Sequence, residues 1–109
     1  MRIWDIKPNK LCRNHLLGEH RELHAIWSVI TKKKIGYSKH PETLRWHGKL
    51  KALFERHEAL VAEMVNRKYK HGSTLEKNLA VGMARQNKFI NSREEQVKIL
   101  KQKKCACRV

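Results

Sequence analysis

The sequence predicts an all-α fold. Two long helices pack together, a short C-terminal helix follows, and residues 1–109 form a single compact domain with a basic concave face. Three observations support this. Apolar residues recur at three- and four-residue spacing along two stretches, Cys12 to Ile30 and Leu50 to Val65. No β-rich run and no internal repeat interrupts them. The chain has 109 residues, 40% of them hydrophobic, which suits one core and is too apolar for a disordered chain.

Met1 to Ile6 is too short for an independent element, but Ile3, Trp4 and Ile6 suit anchoring it onto the body. Pro8 fits a turn or a first helical position. The first long helix is expected from about Cys12 to Thr31, with a core stripe of Cys12, Leu16, His20, Leu23, Trp27 and Ile30. A loop from Thr31 to Pro41 opens with Lys32-Lys33-Lys34 and is punctuated by Gly36, Ser38 and Pro41. Tyr37 suits either stacking on a base or covering the core.

The second long helix is expected from about Glu42 to Tyr69. Leu50, Leu53, Phe54, His57, Leu60, Val61, Met64 and Val65 form its stripe, with Arg45, Lys49, Arg56 and Arg67 on the flanks. His57 reads as a hydrogen-bonded core histidine. Gly72 and Gly82 break the stretch from Lys70 to Asn91, with a short helix between them at about Thr74 to Ala80. Ser92 and Glu95 make a capping box, so a last helix runs from about Arg93 to Lys103 on a thin stripe of Gln96, Val97, Ile99 and Leu100.

Charge is the strongest global signal. Twenty-five Lys and Arg oppose ten Asp and Glu, for a net +15 at pH 7. That exceeds what solubility requires, and the basic residues are spread along the chain, so the field should attract polyanions, nucleic acid first. An anionic membrane fits less well, because no helix pairs a basic face with an exposed aromatic and leucine face. Neither a membrane-spanning run nor a signal peptide is seen, so the expected location is intracellular, cytoplasmic and DNA-associated. Cys12, Cys105 and Cys107 are expected as thiols. Cys105 and Cys107 offer two zinc ligands but have no second pair nearby in sequence, so neither metal nor cofactor is expected.

The first helix also has an open side. At about 100° per residue, Asn14, His15, Gly18, Arg21, Glu22 and Ala25 gather opposite the core stripe. Most such faces are simply solvated. This one combines cations for phosphate, one carboxylate for proton work, and a glycine. A mid-helix glycine costs roughly 1 kcal/mol relative to alanine, and in return lets a neighbour or ligand approach the backbone.

With Met1 as first residue, the pattern Arg2-Ile3, Asn14-His15-Leu16 and Glu19-His20-Arg21-Glu22-Leu23 resembles the pyrimidine-dimer DNA glycosylases, the phage endonuclease V type that repairs ultraviolet damage. Similarity continues more weakly through Lys49 to Tyr69 and into Lys70-His71-Gly72. The resemblance implies a glycosylase and abasic-site lyase that cleaves the glycosidic bond of the 5′ pyrimidine in a cyclobutane dimer and nicks the backbone by β-elimination. It implies Met1 as the α-amine nucleophile and Glu22 as the essential carboxylate. Arg2, Asn14, His15 and Arg21 become the DNA contacts, and the partner is ultraviolet-damaged double-stranded DNA bound by a monomer. Arg2 is bulky, which predicts that the initiator methionine is retained. A further family arginine is Ala25 here, and the family's aromatic C-terminal tail is replaced by residues 103–109.

Two other readings stay open. A non-catalytic basic helical module would explain the charge and the helices, but not Arg2, Glu22 and an anchored terminus together. A glycosylase and lyase for another damaged base would keep the chemistry and change the substrate.

Overall fold

The computed structural model describes residues 2–36, 38–70, 74–103 and 105–109. Met1, Tyr37, residues 71–73 and Lys104 lie outside the described residues, and with them the stacking role of Tyr37 and the match at His71-Gly72. Among the described residues there are four helices and no strand, as an all-α fold requires.

A single 3-10 turn, Pro8–Lys10, leads into α1 (Arg13–Thr31). Leu16, Leu23, Ile26, Trp27 and Val29 bury one face of α1. Its end is set by Lys33, which takes a positive φ of 51° while the amide of Lys34 reaches back to the Val29 carbonyl at 3.0 Å. That closes the helix with a left-handed residue and satisfies carbonyls the last turn would leave unpaired. The helix Leu50–Asn66 ends in the same way: Lys68 has φ 62° and the Tyr69 amide donates to the Met64 carbonyl at 2.8 Å.

The expected single helix from Glu42 to Tyr69 is instead two. α2 (Pro41–Leu44) is one turn, and α3 (Leu50–Asn66) starts only after Gly48 turns the chain at φ +74°. The first amides of α3 are then capped from far along the chain. Lys51 donates to the Val81 carbonyl at 2.9 Å and Ala52 to that of Met83 at 3.1 Å. Gly82 crosses Gly48 so closely that a Cβ there would sit 2.2 Å from the Gly48 carbonyl oxygen. The helix expected at Thr74 to Ala80 is only a 3-10 turn, Lys77–Leu79.

α1 packs on α3, with Trp27 and Phe54 ring centroids 6.3 Å apart. Leu53, His57, Leu60 and Met64 line the α3 side, whereas Val65, assigned to the stripe from its spacing, is exposed. Each fully buried leucine here stabilises the fold by roughly 1.5–3 kcal/mol. α4 (Arg93–Gln102) begins at the expected capping box and buries Gln96 and Leu100. The core gathers residues from both ends of the chain, Ile3 to Leu100, with Cys107 and Val109 packed against it. No helix is long and apolar enough to cross a membrane.

The basic residues of the second stretch are not a surface flank. Arg45 is buried, bonded to Glu42 at 2.7 Å and to Asp5 at 3.1 Å. Arg56 pairs with Glu19, Arg67 with Glu63, and the buried Lys49 ammonium donates to Gln86 and Asn87. These cations hold elements together and contribute less to the outer field than the sequence total suggests.

Candidate active site

The chain's first residues carry no regular structure, so their main-chain groups must find other partners. Side chains from α1, from α4 and from Arg45, just after α2, supply them. The Trp4 amide donates to Glu19 of α1 at 2.9 Å, and the Asp5 amide to Gln96 of α4 at 2.8 Å. The Ile3 carbonyl accepts from Arg45 at 3.0 Å and the Asp5 carbonyl from Arg93 at 3.1 Å. Ile3, Trp4 and Ile6 are buried beneath, as their apolar character predicted. The terminus is therefore clamped up to Arg2, whose guanidinium donates to Asn91 at 3.0 Å and lies 4.9 Å from the Trp4 ring centroid. Trp4 also meets His15 edge-on, with centroids 5.7 Å apart. Arg2, Trp4 and His15 thus form one continuous group over the start of α1.

Glu19, only 2% exposed, is the central anchor of this arrangement. Besides the Trp4 amide it accepts two bonds from Arg56, at 2.6 and 3.0 Å. Burial pushes its carboxyl above the ordinary range, and the Arg56 charge pulls against that. Asn14, Arg21 and Ala25 are exposed, while His15, Gly18 and Glu22 are half-buried, so the open side of α1 is as its spacing predicts. A Cβ on Gly18 would meet nothing within 4 Å. No described part of the protein makes the close approach that this glycine permits. Burial and the Lys103 charge lower the His15 pKa, which favours the neutral ring.

Two clusters of ligating side chains are also present, one apart from that face and one that shares His15 with it. His20 and His24 of α1 and His57 of α3 converge at Nε2, with separations of 3.2, 3.2 and 3.1 Å. His57 is a buried, bonded histidine as expected, with Nδ1 3.0 Å from Glu58, yet it belongs to a trio and is not isolated. The second cluster joins Cys12, His15, Cys105 and Cys107. The helical spacing that puts Cys12 on the core stripe does not apply to it. It is the residue that precedes α1, half-exposed, and its sulfur faces the tail. Burial and the neighbouring thiols push Cys107 up to about 12. The partners that Cys105 and Cys107 lacked in sequence are supplied by the fold.

The profile of the family described as pyrimidine dimer DNA glycosylase matches residues 1–77. The chain belongs to this family. No curated protein and no solved structure matches it.

The stretch matched to the pyrimidine dimer DNA glycosylases contains Arg2, Asn14, His15, Arg21 and Glu22, together with Met1, which lies outside the described residues. Sequence reasoning missed the roles of Glu19 and Asn91, and gave Trp4 only as an anchor of the terminus. Glu19 had a signal: a carboxylate on the buried side of an amphipathic helix requires a partner. Asn91 had none, since its contact spans almost the whole chain.

Proposed function

We propose that this protein is a glycosylase and abasic-site lyase acting on cyclobutane pyrimidine dimers in double-stranded DNA, as a monomer, with the Met1 α-amine as nucleophile. One observation carries the reading. The main chain at Trp4 is locked to Glu19, and Glu22 follows one turn later on the open side of the same helix. A terminus held this way supports attack by a positioned amine.

The uncharged amine would attack C1′ of the 5′ nucleotide. The glycosidic C1′–N bond breaks with its electrons leaving on the base, which stays joined to its neighbour through the cyclobutane ring. The bound amine loses its protons, the C1′–O4′ bond opens with its electrons leaving on O4′, which takes up a proton as a hydroxyl, and an imine to C1′ remains. That imine acidifies C2′; loss of a C2′ proton expels the 3′ phosphate, and water later frees the enzyme. Glu22 would stabilise the cationic sugar and move the protons. Arg2, Asn14, His15 and Arg21 would hold phosphates and sugars around an opened, poorly stacked site.

Borohydride added during reaction with irradiated duplex tests this. A covalent protein–DNA adduct and nicking of irradiated but not intact plasmid are expected. Binding with no adduct would instead support a non-catalytic basic module. An adduct on abasic DNA alone would shift the substrate to another lesion.

A further inference from the structure

We propose that Cys12, His15, Cys105 and Cys107 form a closed tetrahedral zinc site that clasps the C-terminal tail onto the start of α1. The four donor atoms lie within 4.8 Å of one another. His15 Nδ1 is 3.2 Å from Cys12 Sγ and 3.1 Å from Cys107 Sγ. Zinc bonds of about 2.3 Å to sulfur and about 2.0 Å to nitrogen set tetrahedral edges near ~3.5–3.8 Å. The two short Nδ1–Sγ pairs need open by only a few tenths of an ångström, and the widest pair need close by no more than about 1 Å.

Local geometry explains why these residues meet. Cys12 is the N-cap of α1 and His15 its third residue, the position over which a cap side chain lies, so the two donors meet. Cys105 and Cys107 sit on the tail after α4, where a one-residue gap serves two ligands. The Cys12 main-chain amide donates to Cys107 Sγ at 3.1 Å, the kind of outer bond that steadies a metal-bound thiolate. The Arg108 amide donates to the Lys10 carbonyl at 2.7 Å and fixes the tail beside the cluster.

Electrostatics calls for such a hold. Arg108 bonds back to Lys10 and the Lys103 charge acts on His15, in a chain of net +15. Like charges oppose that fold-back. Three thiolates and an imidazole around a divalent ion carry a net charge of −1, which offsets the repulsion. Soft sulfur donors select zinc over magnesium or calcium, and four protein ligands leave no position for water, so the ion would be structural. Cys105 and Cys107 lie beyond the stretch that matches the family. If the proposed DNA contact of His15 also holds, a metal on Nδ1 leaves the proton on Nε2, the form that can donate to phosphate.

The test uses the full chain and no DNA, so it is independent of the proposed activity. Metal analysis of protein purified without chelator should find zinc that Cys105→Ser and Cys107→Ser each remove. Both positions are on the tail, and circular dichroism should show the helices intact. Cobalt(II) added to the zinc-free protein should give intense visible bands and a thiolate charge-transfer band, lost in the same variants. Absence of those bands, or a Cys12–Cys107 disulfide in protein isolated under reducing conditions, would overturn the proposal. So would zinc kept by the tail variants and lost from His57→Ala, which would place the ion at the histidine trio.

Discussion

Glu19 accepts the main-chain amide of Trp4 through the same carboxylate that takes two guanidinium bonds from Arg56. One acid therefore ties the chain's start, α1 and α3 together. Glu19→Ala leaves the Arg56 cation and a buried amide without their acceptor. The expected loss is about 3 kcal/mol in urea unfolding, at the lower end for a broken buried pair because Arg56 is partly solvated. Arg56→Ala should cost a similar amount. The double variant should cost clearly less than the sum, and simple additivity would show that the pair is not coupled.

Two glycines should respond in opposite directions. Gly82→Ala forces a Cβ into the Gly48 carbonyl at a φ of +88°, so it should destabilise by more than about 1 kcal/mol. Gly18→Ala has open space in mid-helix and should stabilise by about 0.5–1 kcal/mol. On the proposed reading it should also weaken binding to irradiated duplex, because the added methyl stands where DNA approaches. Unchanged affinity in that variant would remove Gly18 from the interface.

The contrast between those glycines shows what was legible beforehand. α1 and α4 follow from local pattern: a stripe at helical period, and a Ser92–Glu95 box whose partners are three residues apart. The break at Gly48 depends on residues 81–83, over thirty positions away, and no local propensity encodes such a contact. Cys12 was misassigned for a related reason. A helical wheel gives it a core angle, but it precedes the helix, where that angle has no meaning. The basic flank was misread because burial of Arg45 requires Asp5 and Glu42 together, and only the folded chain joins them. The open side of α1 was legible because every residue on it belongs to one helix.

Helix α4 should lose stability in acid. The Ser92 amide and hydroxyl hold the Glu95 carboxyl below its ordinary value of 4.5. A depressed folded-state pKa means stabilisation that is complete above the ordinary value and fades as pH falls through the folded one. The stability difference between the protein and Glu95→Gln should therefore be largest near neutrality and shrink below pH ~4.5. A difference that grows on acidification would contradict the capping box as the cause.

On the proposed mechanism, Glu22 and Arg21 should separate chemistry from binding. Glu22→Gln removes a negative charge from a face that binds phosphate, so affinity for irradiated duplex should hold within a few fold while strand cleavage disappears. Arg21→Ala should weaken binding and lower the slope of log affinity against log salt by about one unit. Wild-type cleavage by Glu22→Gln would remove that carboxylate from the mechanism.

The Met1 α-amine should be the group trapped by borohydride. Its ordinary pKa is about 7.7–8.0, whereas an exposed lysine near ~10.4 is almost wholly protonated at neutral pH. The cysteines offer no rival, because a thiol cannot form the imine that borohydride reduces. The clamp at Ile3, Trp4 and Asp5 gives the terminus a fixed origin, so lengthening the chain ahead of Met1 displaces the amine without disturbing those bonds. An added Gly-Ser extension should therefore abolish trapping and nicking while DNA binding and thermal stability persist. Intact mass should include the initiator methionine, and peptide mapping should place the sugar remnant on Met1. The nicking should survive EDTA, because imine formation and elimination need only the amine and a base. Trapping on an internal lysine, full activity with the extension in place, or activity lost in EDTA and restored by magnesium would each rule the mechanism out.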